Sequence, residues 1–180
     1  MNQRLSPAKK LTLGAMVTAL TMLSLYAAAV LPAGRISCYF LSSIFIFALC
    51  AEGAYVTALT AFAASAGLAW LLLPDKLVAA AYTLLLGHYN IFKTILDTHL
   101  ESIPFRVVLK LLYCSVFTAA GLYVAIILIG VDVMANLPEW LPVWGVVAAA
   151  EAAFIMLDVL QSLLGKFYVS RIRSVIVPRR

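Results

Sequence analysis

The chain has 180 residues, 64% hydrophobic and 12% charged, with a formal net charge of +5 and a mean hydropathy of +1.03. A soluble domain carries about 25% charged residues, so this composition excludes water as the main solvent. Six apolar runs of membrane length fill nearly all of the sequence, leaving no stretch for an ATPase or other soluble domain.

The first run, Leu11–Leu31, follows the basic residues Arg4, Lys9 and Lys10. Its about 21 residues exceed the roughly 7–15 of a signal-peptide core, which predicts a retained span. Pro32-Ala33-Gly34 then breaks the chain. The second run, Ile36–Ala51, gives roughly 24 Å of helix, less than a typical hydrocarbon core. Glu52-Gly53 separates it from the third, Ala54–Leu73, and Pro74-Asp75 separates that from the fourth, Lys76–Phe92. The polar stretch from Lys93 to Pro104 carries Ile95, Leu96, Leu100 and Ile103 among Asp97, His99 and Glu101. It reads either as a short interfacial amphipathic helix or as an irregular loop with apolar anchors. The fifth run is Phe105–Gly130 and the sixth Pro142–Phe167, with a proline-containing connection between them. The expected fold is all-α, a polytopic six-transmembrane-helix bundle, with residues 1–180 as one integral membrane domain.

Lysine and arginine set the expected orientation. With the N-terminus in the cytoplasm, six spans return the C-terminus there. The inner side then holds Arg4, Lys9, Lys10, Lys93, Arg106, Lys110, Lys166, Arg171, Arg173, Arg179 and Arg180, and the outer side only Arg35 and Lys76. This asymmetry follows the positive-inside rule and supports the even span count as well as the direction; the expected location is a prokaryotic plasma membrane, crossed as a multi-pass protein. The terminal arginines are expected against anionic lipid. Charge alone gives no support for nucleic-acid binding.

Cys38, Cys50 and Cys114 lie inside apolar runs without C-x-x-C spacing, so they read as core residues and neither a disulfide framework nor a metal site is expected. No G-x-x-x-x-G-K-[ST] loop occurs, so ATP-driven work would need another subunit. There is likewise no H-E-x-x-H and no serine-centred motif. Binding is therefore expected and catalysis is not, and no cofactor is implied.

Ala15 and Ala19 stand four apart on the first span and share a helix face, leaving a groove that a second helix can approach closely. Ala54/Ala58, Ala148/Ala152 and Ala149/Ala153 repeat the spacing, and packing within the bundle accounts for any one such pair more readily than a partner does. With Ala15-Met16-Val17-Thr18-Ala19 on the first of six helices, the chain resembles the substrate-binding S component of energy-coupling factor transporters. That resemblance implies capture of a vitamin or other micronutrient near the outer face. It also implies docking through helices one to three on a transmembrane T component driven by two cytoplasmic ATPases, with Ala15 and Ala19 facing the T component. The connection from Pro32 to Arg35 is shorter than the gating loop of several members. The start Met1-Asn2 lacks the Met-His of the nickel and cobalt members, which disfavours a metal substrate.

Candidate substrate contacts lie in the outer half. Arg35, Ser37, Tyr39, Ser42 and Ser43 open the second span, and Trp70, Asp75, Lys76 and Tyr82 surround the second outer turn. Tyr123, Asp132, Glu139, Trp140 and Trp144 surround the third. Converging, they would supply aromatic walls and orienting charges; taken singly, the Trp and Tyr residues are ordinary interfacial anchors. Glu151 lies roughly 15 Å into the sixth span and His88 about 19 Å into the fourth from the same side. Ionisable groups at that depth face the bundle interior and mark either function or a buried pair. The sites chosen are Arg35, Tyr39, Lys76, Tyr82, His88, Trp144 and Glu151 for substrate, and Ala15 and Ala19 for the partner helix. Lys93, Lys110 and Asp158 read as structural, with Lys110 able to snorkel or to pair with Asp158. The competing reading is a non-transporting scaffold or cell-envelope assembly protein, which would be solidly packed.

Overall fold

The computed structural model describes residues 6–31, 34–128, 130 and 143–167, without the side chains of 128, 143, 144, 146, 150, 164, 165 and 167. All described secondary structure is helical. The elements are α1 (Pro7–Val30), α2 (Arg35–Ala51), α3 (Tyr55–Leu72), α4 (Lys76–Ala81), α5 (Tyr89–His99), α6 (Ile103–Tyr123) and α7 (Val143–Phe167). A π-helical segment, Tyr82–Leu86, continues α4, and a second, Val124–Leu128, continues α6. Three helical stretches are long and apolar enough to cross a membrane: Pro7–Val30, Tyr55–Leu72 and Ile103–Ile127. α2 is apolar but shorter, at 17 residues.

The helix ends follow from local chemistry. Ser6 caps α1 by accepting the Lys9 amide, and Pro7 occupies the first turn, where its missing N–H costs nothing. α1 ends at Leu31 and α3 at Leu73, both extended and both followed by proline, which bars the preceding residue from helical geometry. At the end of α2, Gly53 has φ +70° and donates to Cys50, while Ala54 donates to Leu49. This is the paired return of a Schellman cap, for which glycine is the least strained residue. Asp75 caps α4 through the Leu77 amide at 3.0 Å.

The fourth apolar run is not one regular helix. In the segment after α4 the Gly87 amide bonds back to the Tyr82 carbonyl at 2.8 Å, five residues earlier. The chain then turns at Gly87–His88 before α5 begins. α5 takes in most of the polar stretch after Phe92, so that stretch is helical. However, it buries Tyr89, Asn90, Ile91, Lys93 and Leu96 and does not simply float on an interface.

α1 packs chiefly on α2 and α3, and α2 also meets α5 and α7. One core cluster joins Leu25 and Ala28 of α1, Ala66 and Ala69 of α3, and Val78, Ala79 and Tyr82. A second joins Val17, Ile46, Leu49, Ala58, Ala61 and Ile91. Small residues bring these helices close, as lipid-embedded packing requires. A Cβ built on Gly14 would lie 2.8 Å from Thr57 Cγ2, so α1 approaches α3 there closely enough that any side chain at this position would displace Thr57. The third cluster, Tyr89, Tyr113, Cys114 and Phe154, ties α5, α6 and α7 together.

Candidate functional site

The candidate residues fall at three levels of the bundle. At the end where α2 and α4 begin, Arg35 Nη1 lies 3.6 Å from Asp75 Oδ2, with the Arg35 side chain half exposed. Lys76 folds back over the end of α3 and donates to the carbonyls of Trp70 at 2.7 Å and Leu73 at 3.0 Å. It thereby answers the negative end of that helix. Tyr39 is partly buried against the first core cluster. Tyr82 is fully buried, its hydroxyl 2.7 Å from Ser65 Oγ. Arg35 and Asp75 are thus drawn together, whereas the polar groups of Lys76 and Tyr82 already have partners inside the fold.

At mid-height, His88 stands at the helix break in an aromatic box. Its ring centroid is 4.7 Å from Phe117 and 5.5 Å from both Phe62 and Tyr113. Neither ring nitrogen has a hydrogen-bond partner, and both are buried, as is the unpartnered Tyr113 hydroxyl. Glu151 instead accepts a hydrogen bond from Ser115 Oγ, at 2.5 Å. No hydrogen bond therefore joins His88 to Glu151. Trp144 belongs to α7, but its side chain lies outside the described residues, as do Asp132, Glu139 and Trp140.

Polar chemistry is densest further along, where Ser43 meets two polar residues, Asn90 and Gln161, that the sequence did not single out. Ser43, Asn90 and Gln161, from α2, α5 and α7, are each almost completely buried. Ser43 Oγ donates to the Leu86 carbonyl at 3.2 Å and accepts from Asn90 Nδ2 at 2.7 Å and Gln161 Nε2 at 2.9 Å. Leu86 is the last residue of the π-helical segment, so its carbonyl has lost the regular ladder and is met by a side chain. In lipid such a group has no water to turn to, and the neighbouring helix must satisfy it. Ser42, its neighbour, donates to the Tyr39 carbonyl.

Below this node lies an ionic cluster. Lys93 is 3% exposed, and its ammonium sits 2.7 Å from Asp158 Oδ1, 2.6 Å from the Asp158 carbonyl and 2.8 Å from Ser162 Oγ. Tyr89 donates its hydroxyl to the same carboxylate oxygen. Lys110 bridges Asp158 Oδ2 at 3.3 Å and Asp97 Oδ1 at 3.1 Å, and Arg106 Nη1 is 3.6 Å from Asp97 Oδ1. Burial of an ammonium is tolerable only with this many oxygens around it. The pairing of Lys110 with Asp158 was one of the two expected options. The enclosure of Lys93 was not, because its partners lie 65 and 69 positions away in sequence.

On α1, Ala15 and Ala19 are both exposed, along with Met16, Leu20 and Leu23. The opposite face buries Gly14, Val17, Thr21, Ser24, Leu25 and Ala28. Ala54 and Ala58 are instead buried within the bundle, whereas the alanine pairs of α7, Ala148/Ala152 and Ala149/Ala153, are exposed. Among the described residues no group of three or more His, Cys, Asp or Glu side chains could hold a metal ion. Comparison of the chain with protein families, with curated proteins and with solved structures finds no match.

Proposed function

We propose that the chain is the substrate-capture subunit of an energy-coupling factor type importer. In this reading it is a six-span bundle of the cell membrane with both termini in the cytoplasm. It takes a vitamin or other small micronutrient near the outer face and docks on a T component carrying two ATPase subunits. The observation that carries the reading is the state of α1: one face is locked against α2 and α3, while Ala15 and Ala19 lie bare on the other. In lipid, a bare small-residue face on a tightly held helix is a surface another helix can approach closely. Arg35 adds support as a half-exposed outer cation whose contact with Asp75 is of the exposed kind, worth about 0–1 kcal/mol. Such a pair can be exchanged for a substrate group at little cost. Tyr39, Lys76, Tyr82, His88, Trp144 and Glu151 complete the candidate substrate set.

A second reading, a non-transporting scaffold, is favoured by the internal engagement of Lys76 and Tyr82, which leaves those polar groups little to offer a ligand. Affinity purification from native membranes separates the two. The importer reading expects a polytopic partner and two ATPases to co-purify, a small molecule to be released on denaturation, and Ala15→Leu/Ala19→Leu to lose the partners while remaining folded. Recovery of the folded wild-type bundle with neither ATPase nor small molecule sinks it.

A further inference from the structure

Where α6 starts, the described ion pairs bring three cations, Lys93, Lys110 and Arg106, to two carboxylates, Asp158 and Asp97. The surplus is not spread evenly. Lys93 and Lys110 spend their ammonium groups on close oxygens, whereas Arg106 makes a single contact at 3.6 Å. Its Nε is buried and has no partner at all, although the side chain as a whole is 26% exposed. A guanidinium offers five N–H groups in a planar fork suited to two oxygens of a phosphate or carboxylate, and here most of that fork is unused.

The setting selects among anions. Arg106 stands in the first turn of the stretch Ile103–Ile127, which is long and apolar enough to cross a membrane, so it marks that stretch's boundary. Ile103 and Val107, each three residues before one of the two cations Arg106 and Lys110, are 67% and 49% exposed. An anion that fits this place carries apolar chains to lie along α6 as well as oxygens for the fork. Basic sites at the ends of transmembrane helices bind phospholipid headgroups by this combination.

We infer that Arg106, with Lys110 beside it, holds the phosphodiester of an anionic phospholipid at the α5–α6 edge of the bundle. The net charge left by the pairing of Lys93, Lys110 and Arg106 with Asp97 and Asp158 is +1, so a monoanionic phosphodiester completes it. The accessible part of the Arg106 side chain, 26% exposed, is what such a headgroup meets. The inference rests on α6 lying in a bilayer and not on the importer reading, so either can fail alone.

Native mass spectrometry of the delipidated full chain in detergent, with equal amounts of phosphatidylglycerol and phosphatidylcholine of matched chains, tests it. Phosphatidylglycerol adducts are expected to dominate. Arg106→Gln is expected to reduce that preference about fivefold, one surface cation's worth of attraction. Lys9→Gln, an exposed cation at the start of α1, should leave it unchanged. Arg106→Lys keeps the charge but lacks the planar guanidinium fork, so it too should lose preference, and it serves if the glutamine variant does not fold. Equal binding of the two lipids overturns the inference, as does preference retained in Arg106→Lys or lost equally in Lys9→Gln. Complete displacement by millimolar inorganic phosphate would assign the site to a free anion instead.

Discussion

Asp158 is shared by three helices, and this makes its loss and the loss of Lys93 unequal. In Lys93→Met the carboxylate keeps Lys110 at 3.3 Å and the Tyr89 hydroxyl, while an apolar chain of similar length fills the space of the lysine stem. In Asp158→Asn the ammonium of Lys93 stays 3% exposed with only uncharged oxygens, the main-chain carbonyl of residue 158, Ser162 Oγ and the asparagine amide oxygen, and Lys110 retains only Asp97 as a charged partner. Breaking a buried pair so that one charge is stranded costs about 3–5 kcal/mol. The Asp158 side chain is 24% exposed, which places the asparagine variant near the lower end, about 3 kcal/mol. Removing the lysine strands nothing and should cost about 1 kcal/mol, the scale of a lost hydrogen bond. Unfolding in mixed detergent–SDS micelles, followed by tyrosine and tryptophan fluorescence, measures both. The double variant Lys93→Met/Asp158→Asn should recover much of the stability that Asp158→Asn loses. Equal losses in the two single variants, or a larger loss for Lys93→Met, would refute the reasoning.

Two further substitutions probe the packing. Gly14→Ala places a methyl 2.8 Å from Thr57 Cγ2 and should destabilise by about 1–3 kcal/mol in the same assay, with Thr57→Ser restoring most of it. A Gly14→Ala protein as stable as wild type would mean that α1 and α3 can part there without loss. Ser43→Ala leaves Gln161 Nε2 and the Leu86 carbonyl without their partner and should cost about 1–3 kcal/mol. Ser43→Thr, which keeps the hydroxyl, is expected to be milder, and the reverse order would mean that size, not hydrogen bonding, decides the site.

The boundaries of the first four apolar runs were legible because prolines, glycines and caps punctuate them locally: Pro32, Gly53, Pro74 and Pro104 each stand beside a helix end in the sequence. The interior of the fourth run was not, since nothing in Tyr82–Leu86 marks a π-helical segment and only Gly87 hints at the turn. That the interruption succeeds depends on Ser43, Asn90 and Gln161, which three separate helices supply. Among the candidate residues, Arg35 and Asp75 come within 3.6 Å of one another, but His88 and Glu151 do not share a hydrogen bond. Depth along a helix says how far a residue lies from a membrane face and nothing about which way it looks. Lys93 was read as a boundary charge because lysines usually are, and only the tertiary arrangement shows it enclosed.

The position of Asp158 has a consequence for biogenesis. Lys93 emerges from the ribosome 65 residues before the carboxylate that neutralises it, and α7 is made after α5 and α6. Until it arrives, the Lys93 ammonium lacks the Asp158 carboxylate and the oxygens around it, and a buried unpaired charge is costly. Enclosure of Lys93 therefore waits for α7, which brings Asp158 and Ser162 to it.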